Sequence, residues 1–192
     1  RLNLGIVRSD ENALWSLAPH DISVILYLFG ATPDRVSAHG ASYLQPGIED
    51  VVFVNLHFPD GRTAQIHVSW LDPHKEREMV LVGTKSMVVF DDMSPMEPIR
   101  VYHKGADVTG KLDGPALVTV RHGDVLIPHF SGGEPLQTEA QHFIDAIRQG
   151  TTPRSDGLDG LRVVQVLEAA DASLKSGGQP VHVKYAENIL NG

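Results

Sequence analysis

Between Val51 and Trp70 the sequence alternates on both sides of one turn, and this stretch constrains the fold more than any other. Val52, Val54, Leu56 and Phe58 alternate with Val51, Phe53, Asn55 and His57. Pro59-Asp60-Gly61 follows, and then Ala64, Ile66, Val68 and Trp70 alternate with Thr63, Gln65, His67 and Ser69. Side chains of period two stand on opposite faces of a strand, so the pattern predicts an antiparallel hairpin. His57 and His67 are then candidate cross-strand neighbours. Further strands are expected over 36–44, 78–82, 87–91 and 99–103. Two more are expected over 117–130, interrupted around His122-Gly123-Asp124, and over 180–185. Gly83-Thr84-Lys85-Ser86 reads as a turn, and the Pro- and Gly-rich stretch 94–115 as the most mobile loop.

Helical patterns flank this run of strands. Ser9-Asp10-Glu11-Asn12 supplies N-cap residues, and Ile22, Ile25, Leu26 and Phe29 keep the i, i+3, i+4, i+7 spacing of one helical face, which Gly30 ends. Pro19 inside this block predicts a kink or a fresh start, with His20 directly after it. Ala140, Phe143, Ile144 and Ile147 form a second stripe, closed by Gly150. Val163, Val166, Leu167, Ala170 and Leu174 form a third, stopped by Gly177-Gly178. Helix, strands, two helices and a strand make an α+β fold, a largely antiparallel mixed β-sheet with helices packed on one face. The open face then carries Val51 and Phe53 or their alternating partners, and predicts a homo-oligomer through that face.

Composition excludes several functions. Sixteen Lys+Arg against 24 Asp+Glu leave a net charge of −8 with no basic cluster, which argues against nucleic acid as a partner. The longest apolar stretch, 24–30, is far short of the ~20 residues that cross a bilayer, so no membrane is expected. Without cysteine there are no disulfides, thiolate metal sites or thiol nucleophiles. No signal peptide is visible, and a cytoplasmic setting is the expectation. The 192 residues suit one domain over 1–192. Arg1-Leu2-Asn3-Leu4-Gly5 opens in an alternating pattern without Met, as a fragment would whose first part is absent.

Two motifs fail on inspection. Gly105-Ala106-Asp107-Val108-Thr109-Gly110-Lys111 imitates a phosphate loop, but Leu112 stands where Ser or Thr must hold magnesium. No G-x-G-x-x-G occurs, so no dinucleotide-binding turn is expected. The ten histidines lack any H-x-x-x-H or H-E-x-x-H pair, and no metal is assigned.

Three polar runs survive as candidates. The run from Arg8 to Asp21 places His20 at a helix disturbance, a suitable position for acid–base work near neutrality. Ser69-Trp70-Leu71-Asp72-Pro73-His74-Lys75-Glu76-Arg77 gathers cations beside an aromatic ring at a strand end. Glu134-Pro135-Leu136-Gln137-Thr138-Glu139 opens a helix, and capping explains most of it.

In this order the runs resemble the C-terminal domain of the glucose–fructose oxidoreductase / inositol dehydrogenase / MocA (Gfo/Idh/MocA) family. The resemblance rests on Asp10-Glu11-Asn12-Ala13-Leu14-Trp15, Ala18-Pro19-His20-Asp21, Ser69-Trp70-Leu71, Pro135-Leu136, His142-Phe143 and Thr152-Pro153-Arg154-Ser155-Asp156-Gly157. Within the family the chain looks closest to the branch acting on sugar nucleotides. The resemblance implies a dihydrodipicolinate reductase-like C-terminal domain that binds substrate and assembles. It also implies an N-terminal Rossmann NAD(P)-binding domain, absent from this chain, so that NAD or NADP serves the full-length enzyme and none binds the chain alone.

The implied reaction moves hydride between nicotinamide and a sugar, polyol or sugar-nucleotide carbon. His20 matches the family's active-site His, and Ser16 stands where many members carry Asp. Asp21 faces another side of the helix and replaces that Asp poorly. Arg8, Asn12, Trp15 and Lys75 are the expected substrate contacts. The alternative is a stand-alone domain that only assembles or binds sugar.

Overall fold

The computed structural model describes residues 1–109, 117–129 and 133–186. They form two compact bodies, Arg1–Lys75 with Glu139–Gly192, and Glu76–Thr138. Before the first boundary lie α1 (Ala13–Phe29), β1 (Arg35–Ala41), β2 (Val51–His57) and β3 (Thr63–Ser69). The second body holds β4 (Glu78–Val82), β5 (Met87–Asp91), β6 (Ile99–Tyr102), β7 (Gly105–Thr109), β8 (Leu117–Arg121) and β9 (Val125–Leu126). Helix α2 (Pro135–Gln149) crosses the second boundary, and α3 (Gly157–Lys175) and β10 (Val181–His182) complete the first body.

In the first body the antiparallel order is β10-β1-β2-β3, and the expected hairpin is β2–β3. Its alternation places Val52, Val54, Leu56, Ile66 and Val68 on one face with Val36 and Ala38 of β1. All are buried against Leu14, Ala18 and Ile22 of α1 and Val166, Leu167 and Ala170 of α3. Burying each large aliphatic side chain contributes roughly 1.5–3 kcal/mol, so this layer carries the body's stability. The start of the chain adds to the sheet edge: Leu2 bridges Ser69 in parallel, and the Asn3 amide donates to the Ser69 carbonyl at 3.0 Å.

Helix α1 runs through Pro19 as one element, so the expected fresh start does not occur. Pro19 removes one donor, the one that would meet the Trp15 carbonyl, and burial of the helix's apolar face offsets that loss. Gly30 ends the helix at φ 58°, with its amide on the Leu26 carbonyl. Arg62 of the β2–β3 turn then locks that end. Its guanidinium donates to the Phe29 carbonyl at 2.9 Å and stands over the Phe29 ring at 4.7 Å.

Other expectations need correction. His57 faces Thr63 across the hairpin, not His67, because Phe53 occupies the position opposite His67. Those two rings stack at 4.2 Å. The stretch 94–115 contains β6 and β7, and 110–116 lies outside the described residues. Helix α2 forms, yet its apolar stripe does not pack: Phe143 is 57% and Ile147 67% exposed, and Ala146 is the buried residue of that helix. The closing strand is two residues long, Val181–His182.

The face of the first sheet turned away from α1 and α3 is mixed. His39, Phe53 and His67 lie in one row and Ser37, Asn55 and Gln65 in the next, with Phe53 43% exposed. In the second body β4-β5-β6-β9 form one antiparallel sheet and β7–β8 a separate hairpin. Pro98 is the one buried residue among those described there.

One side chain joins the sheet edge to α3. Strand β10 pairs with β1 only at Arg35 and Val36, so the Ala38 amide has no strand partner. The buried Ser173 hydroxyl accepts from that amide at 2.9 Å and donates to the Gln179 carbonyl at 2.7 Å. Ser173→Ala strands both groups, each worth ~1–3 kcal/mol when buried unpaired. We expect a loss of about 2–4 kcal/mol in urea unfolding of the first body; a loss under ~0.5 kcal/mol would show that water replaces the hydroxyl.

Candidate functional site

Helix α1 positions the candidate residues because only one of its sides is apolar. Leu14, Ala18, Ile22 and Ile25 face the core, while Ser16, His20, Ser23 and Tyr27 fall at i, i+4, i+7 and i+11 on the opposite side. His20 is exposed, and its ring has no hydrogen-bond partner among the described residues. Ser16 is half-buried one turn before it. Asp21 turns away and pairs with Arg1 at 2.8 Å, so its carboxylate does not join His20.

The start of the helix is built differently. The Asn12 side chain caps it, Oδ1 accepting from the Trp15 amide at 3.2 Å and Nδ2 donating to Glu49 at 2.7 Å. The Ala13 amide also reaches the Glu49 carbonyl, at 2.9 Å. Asn12, Trp15, Ile48, Glu49, Asp171 and Lys175 line a shallow cleft of about 270 Å³. The Asp171–Lys175 pair, at 2.6 Å and one helical turn apart, forms its far wall. Hydrogen bonding to Asp171 holds the Lys175 ammonium above its ordinary pKa.

Arg8 is committed to carboxylates. It grips both oxygens of Asp10 at 3.2 Å and reaches Glu11 at 2.8 Å. The hydrogen bond from Arg8 holds the Asp10 carboxyl below its usual range, and Asp10 in turn raises the guanidinium. Lys75 is exposed on the loop beyond β3, where the Asp72 carboxylate and carbonyl hold the His74 and Leu4 amides. The structure thus brings Asn12 and Trp15 together at the cleft and Ser16 and His20 together on the helix face. It shows no contact joining Lys75 to either group.

Sequence reasoning missed Glu49, Asp171 and Lys175. The last two carry a signal, the i, i+4 acid–base spacing, while Glu49 meets Asn12 only through the fold. It also missed Tyr27 and Arg154 at the end of the α1 face. The Arg154 guanidinium stands 5.8 Å from the centre of the Tyr27 ring, and its backbone amide donates to Nε2 of His142 at 3.0 Å. Among the described residues no three His, Asp or Glu side chains converge as a metal site. Among the described residues no helix is long and apolar enough to cross a membrane.

Residues 7–89 match the family described as the GFO/IDH/MocA C-terminal domain. The chain is similar to scyllo-inositol 2-dehydrogenase (NAD(+)) of Bacillus subtilis (strain 168), 24% identical over 166 residues, covering 82% of this chain and 44% of that protein. It is also similar to 2,7-anhydro-N-acetylneuraminate hydratase of Escherichia coli (strain K12), 22% identical, covering 88% of this chain and 51% of that protein. The UDP-N-acetylglucosamine 3-dehydrogenase GnnA from Acidithiobacillus ferrooxidans shares the fold with a TM-score of 0.73. There the identity is 22%, over 92% of this chain and 53% of GnnA. The chain spans about half the length of the curated relatives it matches.

Asn12 therefore holds the helix start whether or not it also meets a ligand. Asn12→Ala should cost ~1 kcal/mol in urea unfolding, the usual worth of an N-cap, and Asn12→Asp should restore the cap but not the bond to Glu49. Full stability in Asn12→Ala would leave the residue free for substrate alone.

Proposed function

We propose that the chain is the substrate-binding domain of a NAD(P)-dependent oxidoreductase. Hydride moves between the nicotinamide and a hydroxyl-bearing carbon of a sugar, polyol or sugar nucleotide. The observation that carries this reading is the exposed, unpartnered His20 ring above Ser16 on the solvent side of a helix whose other side is locked in the core. The family of residues 7–89 supports it, as does the NAD(+) named for the Bacillus relative. The nicotinamide, when bound, accepts the hydride. Holding the nucleotide is assigned, with the family resemblance, to other parts of the full-length protein.

In the oxidation direction the substrate C–H and O–H bonds break and a carbonyl forms. His20 takes the hydroxyl proton on a ring nitrogen as the hydride leaves the same carbon. Ser16 lacks a carboxylate and orients the hydroxyl, accepting or donating one hydrogen bond. Trp15 gives a sugar an apolar face beside the cleft, and Arg8, Asn12 and Lys75 stand on the substrate side. With Arg8 already neutralised by Asp10 and Glu11, Lys75 carries the freer charge of the two. We assign the setting to the cytoplasm.

His20→Ala in the full-length enzyme should lower turnover by roughly 10²–10⁴-fold, and Lys75→Ala should raise KM more than it lowers kcat. Formation of NAD(P)H, followed by its absorbance, separates hydride transfer from water addition. Unchanged turnover in His20→Ala would return the residue to a structural role.

The open face of the first sheet is the proposed contact between copies. Phe53 and Val51 give it an apolar centre, and the histidine and amide rows beside them offer hydrogen bonds. We expect light scattering at micromolar concentration to show a dimer or tetramer, and Phe53→Glu to dissociate it; a monomer in the parent chain would end this assignment.

A further inference from the structure

The open face of the first sheet differs in charge from the chain as a whole. Alternation along β1, β2, β3 and β10 puts His39, His57, His67 and His182 on it, four of the ten histidines, together with Arg35. No Asp or Glu stands at a strand position of that face, although the chain carries −8. Two copies of so acidic a chain repel one another at most approaches. Here they meet without opposing carboxylates, which argues for a second copy as the occupant of the face.

His39 and His67 sit at its centre, on either side of Phe53 in one cross-strand row. The His67 ring stacks on the Phe53 ring at 4.2 Å, with 14° between their planes. The His39 ring lies against Gly178, where a Cβ would overlap it. Three fixed cations stand around the two imidazoles. Arg35 pairs with Asp34 at 3.6 Å. Arg1, whose backbone amino group donates to the His67 carbonyl at 2.7 Å, pairs with Asp21 at 2.8 Å. Lys184 is exposed beyond His182 on the chain leaving β10. Both nearby carboxylates are thus taken by arginines, and neither is left to neutralise a protonated imidazole on the face.

We propose that His39 and His67 make the contact between copies acid-labile, so that it holds at neutral pH and opens as the imidazoles take protons. The proposal rests on the open sheet face being that contact. A two-fold interface presents each ring twice, and packed sheets lie ~10 Å apart, so the imidazoles of both copies share one desolvated layer. Neutral, they add apolar area and hydrogen-bonding capacity. Protonated, they set cation against cation with water excluded. In a separated copy the same proton costs little, because solvent reaches the rings and the Phe53 π face tolerates a cation over it. Separation therefore takes up protons, and the contact is lost as pH falls through about 6.5, the ordinary imidazole range. Net charge works in the opposite direction. Protonating ten histidines carries −8 toward zero, which by itself draws copies together.

Sedimentation velocity over a dilution series, at about pH 7.5 and about pH 5.5, tests the proposal. Each imidazole that must stay neutral in the contact weakens it about tenfold across that interval, so the Kd of the parent should rise at least about a hundredfold in acid. His39→Gln combined with His67→Gln should reduce that rise to less than about tenfold. The control His74→Gln, on the loop beyond β3, should dissociate in acid as the parent does. His39→Lys combined with His67→Lys should dissociate already at neutral pH. Equal or tighter association of the parent in acid overturns the acid gate and leaves the contact standing, as does acid dissociation undiminished in the double Gln variant. A parent that is monomeric at both pH values overturns the contact, and the gate with it. A double Gln variant that is monomeric at neutral pH also overturns the gate, because uncharged side chains then suffice to break the contact. Near-UV circular dichroism reads the fold at both pH values, and dissociation that accompanies loss of that signal is acid unfolding and overturns the gate as well.

Discussion

The Ser173 hydroxyl is the point on which the first body depends. A sheet with a two-residue edge strand leaves β1 with unpaired backbone groups, and an unpaired amide in an apolar layer is costly. Ser173 resolves this from the helix side, taking the Ala38 amide and giving its own proton to the chain returning toward β10. One small side chain therefore fixes the height of α3 on the sheet and the path of 176–180. Gly178 follows from the same geometry. At φ 86° it lies against the His39 ring, and a Cβ there would overlap that ring. The register of β1 that this sets places Val36 and Ala38 under α3, and α1 fills the remaining apolar surface.

Much of this was legible in the sequence wherever one period dominated. The β2–β3 hairpin, α1 and α3 each keep a single period long enough to fix element and face, and the buried residues are those the pattern selects. Pro19 misled because its local cost is one hydrogen bond, whereas six residues of α1 are buried around it. The α2 stripe misled in the opposite sense. Periodicity reports that a helix has an apolar face, but not that the described chain supplies something to cover it. His57 and His67 were misjudged as neighbours because hairpin pairing depends on the register across the Pro59-Asp60-Gly61 turn, and the composition of the strands does not set it.

The site was legible in part for the same reason. His20 and Ser16 are one turn apart, so their shared face follows from helix geometry alone. The roles of Arg8 and Asn12 do not follow from spacing. Both read as ligand contacts in a polar run, yet Arg8 is spent on Asp10 and Glu11, and Asn12 ties the helix start to Glu49. Residues next to one another in sequence satisfy each other first, and a charge surrounded by near neighbours of opposite sign is a weak candidate for binding. The surroundings of Arg154 come from the fold instead. Its partners, Tyr27 and His142, come from two other elements, and no reading of 151–157 alone would bring them together.

What makes the exposed face of α1 suited to chemistry is the contrast between its two sides. The inner side is pinned by Leu14, Ala18 and Ile22, each fully buried, and both ends are tied, at Asn12 by Glu49 and at Phe29 by Arg62. A helix held at three places moves little, so side chains on its outer side keep their spacing without being buried themselves. That is the condition for a proton-handling group, which needs solvent or substrate access and yet must not wander from the reacting atom. Pro19 fits this arrangement. It lacks the N–H that would close the turn onto Trp15, so the backbone directly before His20 is held by the surrounding core more than by the helix's own hydrogen bonds. Ordering here comes from packing beneath the helix, which leaves the outer face free to differ chemically between proteins that share the fold.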